Sequence, residues 1–210
     1  MEILHLKIFA KFHYRRRMTL MVTLILRNAK VALVGCSYAG TMATWMRLAY
    51  PHLVDAAFSD SGPLHAQEDF PEYLEVITEA IREQGGSACL DSIEVAVREL
   101  VDLLATPTGP AQVSEMFRTC SVIQAGTPLD VATFFLFGII SPFAGLVQYA
   151  NPGDITHACA VLTAANETNP VQRLANFASS DPLSYPCVET RYTQVVTNHR
   201  DIDHGSLYAD

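Results

Sequence analysis

Lys30-Val31-Ala32-Leu33-Val34-Gly35-Cys36-Ser37-Tyr38-Ala39-Gly40 is the stretch on which the fold turns. Residues 30–34 form a short apolar and β-branched run, the pattern of a strand buried on both faces of a parallel sheet. A sharp turn follows at residues 35–40. Thr41 to Tyr50 then reads as a helix with Met42, Trp45, Met46 and Ala49 on one stripe, closed by Pro51, and Leu53 to Phe58 reads as a second strand. Strand, turn, helix and strand in fewer than 30 residues make one βαβ unit.

Within the turn, Gly35-Cys36-Ser37-Tyr38-Ala39-Gly40 contains Gly-x-Ser-x-Gly. A glycine-flanked serine is commonly no more than a turn, but this one has the strand before it and the helix after it that a nucleophile elbow requires. Gly35 and Gly40 carry no Cβ, so strand and helix can approach closely and push the Ser37 hydroxyl outward. The helix N-terminus then lies beneath the serine, and its free N–H groups, that of Tyr38 among them, can stabilise an oxyanion.

Working outward, residues 64 to 196 read mainly as helices punctuated by Pro and Gly. Tyr73, Ile77, Ala80 and Ile81 form one stripe; Ile93, Val97, Leu100, Val101 and Leu104 form another, with Asp91 and Glu94 placed as a capping box. Asp154 is placed to cap a helix carrying Ile155, Cys159 and Leu162, and Asn169-Pro170 to open one carrying Val171, Leu174 and Phe177. Residues 131–153 carry no charge and approach membrane-spanning length. Gly138, Ser141-Pro142, Gln148 and Asn151, with acidic flanks at Asp130 and Asp154, predict instead two buried helical pieces broken at Pro142, and no membrane span.

The chain has 210 residues, 50% hydrophobic and 17% charged, enough for one large domain or one and a half. Its net charge of −8 is spread along the length, and basic residues cluster only at 11–17, so no nucleic-acid partner is expected. Five cysteines contain no C-x-x-C pair and no cysteine-histidine spacing of a zinc site, so no metal or other cofactor is expected. Cys89, Cys120, Cys159 and Cys187 allow two disulfides and leave Cys36 over, as a small buried side chain. Several pairings are open; Cys89 with Cys120 and Cys159 with Cys187 each close a loop of about 30 residues, worth several kcal/mol in the chain-entropy picture. One sequon stands at Asn166-Glu167-Thr168. Cysteines and sequon together fit a secreted or lysosomal protein. Arg15-Arg16-Arg17 followed by Met18 to Leu26 looks like a short signal-peptide core but runs on without a small-residue cleavage site.

The motifs in order resemble a known family, the serine carboxypeptidases of the prolylcarboxypeptidase, dipeptidyl-peptidase II and thymus-specific serine protease group. Gly35-Cys36-Ser37-Tyr38-Ala39-Gly40 resembles that family's G-x-S-Y-x-G. Ala43, Trp45, Arg47, Tyr50, Pro51 and His52 continue the likeness, as do residues 59–64 and 69–73, and Gln148-Tyr149 with the later cysteines extends it weakly. The thymus-specific branch is the nearer match. The resemblance implies an α/β-hydrolase core interrupted by a helical lid, a secreted or lysosomal location, and hydrolysis of a peptide substrate near a terminus, often after proline. Ser37 would be the nucleophile. The expected fold class is therefore α/β: residues 1–28 outside the family pattern, a partial α/β-hydrolase core with the nucleophile segment at 29–64, a mainly helical lid at 65–196, and the start of a linker at 197–210.

The resemblance also implies a catalytic Asp and His after the lid, in core that this stretch does not contain, and an oxyanion donor from strands before the elbow. A middle piece of a longer enzyme, inert alone, is the expectation. Asp201, Asp203 and His204 respect the order Ser, Asp, His, yet a terminal Asp-Ile-Asp-His-Gly reads more simply as a solvated loop where the family has its linker. His52 and His65 are assigned no role, and Asp60 and Ser61 a weak substrate-side one, at the carboxyl end of a strand. The rival readings are a non-catalytic secreted binding protein that keeps elbow and lid, and a lipase or esterase sharing only the elbow.

Overall fold

Glycine and β-branched residues decide the first unit. In a computed structural model that describes residues 30–179 and 186–200, strand β1 (Ala32–Cys36) leads through Ser37 into helix α1 (Tyr38–Ala49), and the chain returns as strand β2 (Ala56–Asp60). The strands are parallel, Ala32 opposite Ala56 and Cys36 opposite Asp60. The second strand thus begins at Ala56 rather than Leu53, because residues 51–55 are used to turn: Leu53 and Val54 N–H both donate to the Tyr50 carbonyl. Asp55 closes this turn. Its carboxylate takes Lys30 Nζ at 2.7 Å and Val31 N–H at 2.8 Å, and its carbonyl accepts Arg47 Nε at 3.1 Å.

Three expectations for this unit fail. The face of α1 that packs on the strands is Gly40, Thr41 and Ala43, all buried, whereas Met42, Trp45 and Met46 stay partly exposed. Small residues win that face because the helix lies tight on the strands. The strands themselves are not covered on both sides among the described residues: Val34 is 76% exposed and its neighbour across the pair, Phe58, 63%. Cys36 is likewise exposed and free rather than buried under the sheet, since alternation along β1 turns it away from the covered position Gly35.

A second unit starts at Phe70 and is helical. It contains α2 (Glu72–Gly85), α3 (Ser87–Leu104), α4 (Gly109–Met116), α5 (Pro128–Phe134), a π-helical segment (Phe135–Ile140), α6 (Ser141–Gln148), α7 (Asp154–Leu162), α8 (Pro170–Ala178) and α9 (Tyr192–Arg200). One core fills it, with Leu100, Val113, Phe134, Ile155 and Leu174 essentially sealed from water. Phe143 stacks on Phe177 with ring centroids 4.5 Å apart, and Phe117 meets Phe134 edge-on at 5.2 Å.

Helix boundaries show which sequence signals were local enough to act. Asn169 caps α8, its Oδ1 accepting Val171 N–H at 2.9 Å and Gln172 N–H at 3.2 Å, with Pro170 at the first position. The capping box at Asp91 does not operate: α3 starts four residues earlier, because Gly86 at φ 81 supplies a sharp turn directly out of α2. At α7 the cap position is Gly153, and Asp154 instead receives the Asn151 N–H at 2.7 Å and Asn151 Nδ2 at 3.1 Å.

Residues 128–148 correct the expected break at Pro142. The chain is helical throughout this run, and by length and composition it is apolar enough to cross a membrane. The proline is absorbed by the π-helical segment before it. Ser141 N–H and Oγ both reach the Leu136 carbonyl, so the missing N–H of Pro142 falls where the helical register is already shifting. Phe134, Ile139 and Phe143 from this run lie in the core of the helical unit.

The disulfides also differ from the expected pairing. Cys89 joins Cys159, bridging α3 and α7 with Cα atoms 5.4 Å apart, and Cys120 joins Cys187 with Cα atoms 4.9 Å apart. They close segments of 70 and 67 residues that interleave, where two separate loops of about 30 residues were expected. The reason is packing. Helix packing brings together turns distant in sequence, and Thr156 Oγ1 donating to Gln84 O and Ser92 Oγ to Leu162 O hold α7 beside the α2–α3 corner. At the second bridge, Cys120 N–H donates to Val188 O and Val188 N–H to Arg118 O, forming a short parallel pairing.

Candidate active site

Ser37 holds backbone angles φ 55 and ψ −133, a region that residues with a Cβ rarely enter. Three things hold it there. Its N–H donates to the Asp60 carbonyl at 2.9 Å, tying the turn to the end of β2. Its own carbonyl accepts Gly40 N–H at 2.9 Å and Thr41 N–H at 3.2 Å, which starts α1. The glycines do the rest: a Cβ on Gly35 would run into the Ala39 carbonyl, and one on Gly40 would lie 2.9 Å from Ser59 Oγ and 3.0 Å from Asp60 O. This is the strand-to-helix turn that the spacing predicts, and it leaves Ser37 exposed at the carboxyl end of the strand pair.

The helix N-terminus below the serine is open. Among the described residues neither Tyr38 N–H nor Ala39 N–H has a hydrogen-bond acceptor, so two backbone donors are left open at the positive end of α1, next to Ser37 in the chain. The loop 60–63 packs on the same turn, where a Cβ on Gly62 would lie 2.9 Å from Thr41 N. Ser61 is also at positive φ, 51°, with its Oγ donating to Asp60 Oδ1 at 3.1 Å. Thr41, almost wholly buried, donates its hydroxyl to the Pro63 carbonyl at 3.1 Å and so clamps this loop to the first turn of the helix. Sequence reasoning had not singled out Thr41. No short motif marks it, because its partner is a carbonyl 22 residues away.

Among the described residues no imidazole or carboxylate hydrogen-bonds to Ser37. His52 lies past the opposite end of α1, its ring 6.4 Å from that of Tyr50. Asp201, Asp203 and His204 lie outside the described residues. Nor do the described residues contain a group of three His, Cys, Asp or Glu side chains able to hold a metal ion. The nearby electrostatic anchor is structural: the hydrogen bond from Lys30, then that from Val31 N–H, holds the Asp55 carboxyl below its ordinary value of 3.8. Asn166 occupies an exposed turn between α7 and α8.

Comparison with known proteins now bears on the motif. The family profile described as Serine carboxypeptidase S28 matches residues 14–209. The chain belongs to the serine carboxypeptidase S28 family. The match reaches back to residue 14, ahead of the boundary at 28 expected from the sequence. A Caenorhabditis elegans relative is 29% identical over 88% of this chain and 38% of its own length. The thymus-specific serine protease of Mus musculus is 42% identical over 43% of this chain and 18% of its own, and the lysosomal Pro-X carboxypeptidase of Bos taurus 32% identical over 45% and 19%. The chain spans well under half the length of these curated relatives. Within S28, two parallel strands joined through an elbow and a helix are compatible with part of an α/β fold, and the helical unit makes up most of the described chain.

Proposed function

We propose that Ser37 is the nucleophile of an S28 serine peptidase acting on peptides by a Ser-His-Asp mechanism, with Tyr38 N–H among its oxyanion donors. The observation that carries this reading is the strained Ser37 backbone above an open helix N-terminus. A serine held at φ 55 by glycines and by the Asp60 carbonyl costs the fold about 1–3 kcal/mol, and such strain persists where the geometry is used. Attack of Oγ on a scissile carbonyl would place the developing negative oxygen near the Tyr38 N–H, a donor of the kind worth about 3–4 kcal/mol in kcat.

The hydroxyl needs a base, and none of the described residues supplies one. We assign the base and its orienting carboxylate to a part of an S28 protein outside residues 1–210, and to the helical unit from Phe70 the role of a lid. The name of the lysosomal Pro-X carboxypeptidase favours peptide bonds after proline and a lysosomal setting, and the two disulfides suit a lysosomal or secreted one. Loss of a triad partner typically removes several orders of magnitude of rate, so the 210-residue chain alone should be inert.

The test uses a full-length S28 protein that contains this segment, assayed on a chromogenic peptide with proline before the leaving group. Ser37→Ala should abolish turnover and labelling by a serine-directed phosphonylating reagent, while leaving the fold intact by circular dichroism. Turnover that survives Ser37→Ala would remove the proposal. Turnover by residues 1–210 alone, abolished by the same substitution, would instead move the base into this chain and make Asp201, Asp203 and His204 its candidates.

A further inference from the structure

A fold accommodates a glycan on a sequon only where the asparagine side chain reaches solvent in the folded chain. In the connection between α7 and α8, alternate residues face opposite ways. Asn166 and Thr168 are exposed and hydrogen-bond to no described residue, whereas Glu167 between them is half-buried and tied down. The Glu167 carboxylate accepts Asn169 N–H at 2.8 Å, and its carbonyl accepts Arg173 Nη1 at 2.7 Å. Arg173 Nε also donates to the Leu162 carbonyl at 2.9 Å, and Ser92 Oγ reaches the same carbonyl at 2.7 Å. The corner is therefore fixed from inside by Glu167 and Arg173, with the two sequon side chains left outward.

We propose that Asn166 is an N-glycosylation acceptor, a modification independent of the peptidase reading. The donor class is an oligosaccharide linked through a diphosphate to a membrane lipid. Asn166 Nδ2 attacks the anomeric carbon, a new N–C bond forms, the bond from that carbon to the diphosphate oxygen breaks, and the lipid diphosphate departs. The amide loses one proton to the transferase, and no redox step occurs. Thr168 two residues on supplies the hydroxyl that acceptor recognition requires, and the intervening residue is Glu rather than Pro. A bulky glycan here displaces no core side chain, because Asn166 is itself exposed and outside the buried core of the helical unit. The two disulfides of the same helical unit fit the oxidising lumen in which this transfer takes place.

The experiment expresses residues 1–210 in a eukaryotic cell behind a cleavable secretory leader, with a known glycosylation tag at the C-terminus to report entry into the lumen. Total cell protein is scored by mobility before and after endoglycosidase, so secretion and folding do not enter the result. Two glycan steps are expected. Asn166→Gln and Thr168→Ala should each leave one, and Thr168→Ser should keep two. Peptide mapping after deglycosylation should find residue 166 converted to aspartate. A single step in the wild-type chain, with the tag occupied, would overturn the proposal, as would two steps that persist in Asn166→Gln.

Discussion

Gly40 shows how little room the elbow has. Any Cβ there meets Ser59 Oγ at 2.9 Å and Asp60 O at 3.0 Å, and backbone cannot yield as a flexible side chain would. Gly40→Ala is therefore expected to destabilise the first unit by about 1–3 kcal/mol, the usual range for overpacking, and to lower the activity of the full-length protein with it. Chemical denaturation followed by the fluorescence of Trp45, the one tryptophan, reads this locally. Asp55 acts at the same scale through its charge. Its carboxyl titrates below its ordinary value when folded, so its contribution to stability is present above about pH 4 and fades as pH falls through the depressed folded value. Asp55→Asn should destabilise at neutral pH, by little because the pair is exposed, and the difference should close on acidification and shrink in high salt. Equal differences at pH 7 and pH 2 would show that the carboxylate charge is irrelevant there.

Elements respond to other forces. In α6, Gly145 has open space where a Cβ would go, so Gly145→Ala should stabilise the helical unit by about 0.5–1 kcal/mol through helix propensity, seen as a raised thermal midpoint. The disulfides act on the unfolded chain. Closing a segment of 70 residues by Cys89–Cys159 is worth about 4 kcal/mol in the entropy picture, and the paired Cys89→Ala and Cys159→Ala change should lower stability by up to that amount in urea titration. Because the two disulfides close interleaved segments, each shortens the effective loop that the other closes, so breaking both should cost more than the sum of the losses from breaking either alone. The surface pairs Glu79–Arg82 and Glu94–Arg98 are one helical turn apart and exposed, so their removal should scarcely register.

Over the whole molecule, buried apolar side chains are distributed very unevenly. The helical unit has a continuous core and both disulfides, whereas the first unit buries Ala43 and Val54 and leaves Val34 and Phe58 open. Opening free energies follow such differences. In the 210-residue chain, hydrogen exchange should be slowest in α3 and α8 and fast in β1 and β2, and limited proteolysis should leave a resistant product beginning near residue 70. Strand amides as slow as those of α3 would contradict this ordering.

What contiguous residues could specify by themselves was specified. The elbow at 35–40 is legible because its geometry depends on two glycines and a serine within six positions, and the Asn169-Pro170 start because a cap bonds only two and three residues ahead. Family membership follows from the same spacing of motifs. Tertiary structure decided the rest. Cysteine partners are chosen by which helices pack, so Cys89 meets Cys159 across 70 residues. Pro142 does not break its helix because Ser141 and Leu136 share a shifted turn in which the missing N–H is tolerated. The buried face of α1 is the one with the smallest side chains, since close approach to the strands outweighs the larger apolar area of Met42, Trp45 and Met46. Each of these turns on a distance between residues remote in sequence, and local pattern carries no record of that distance.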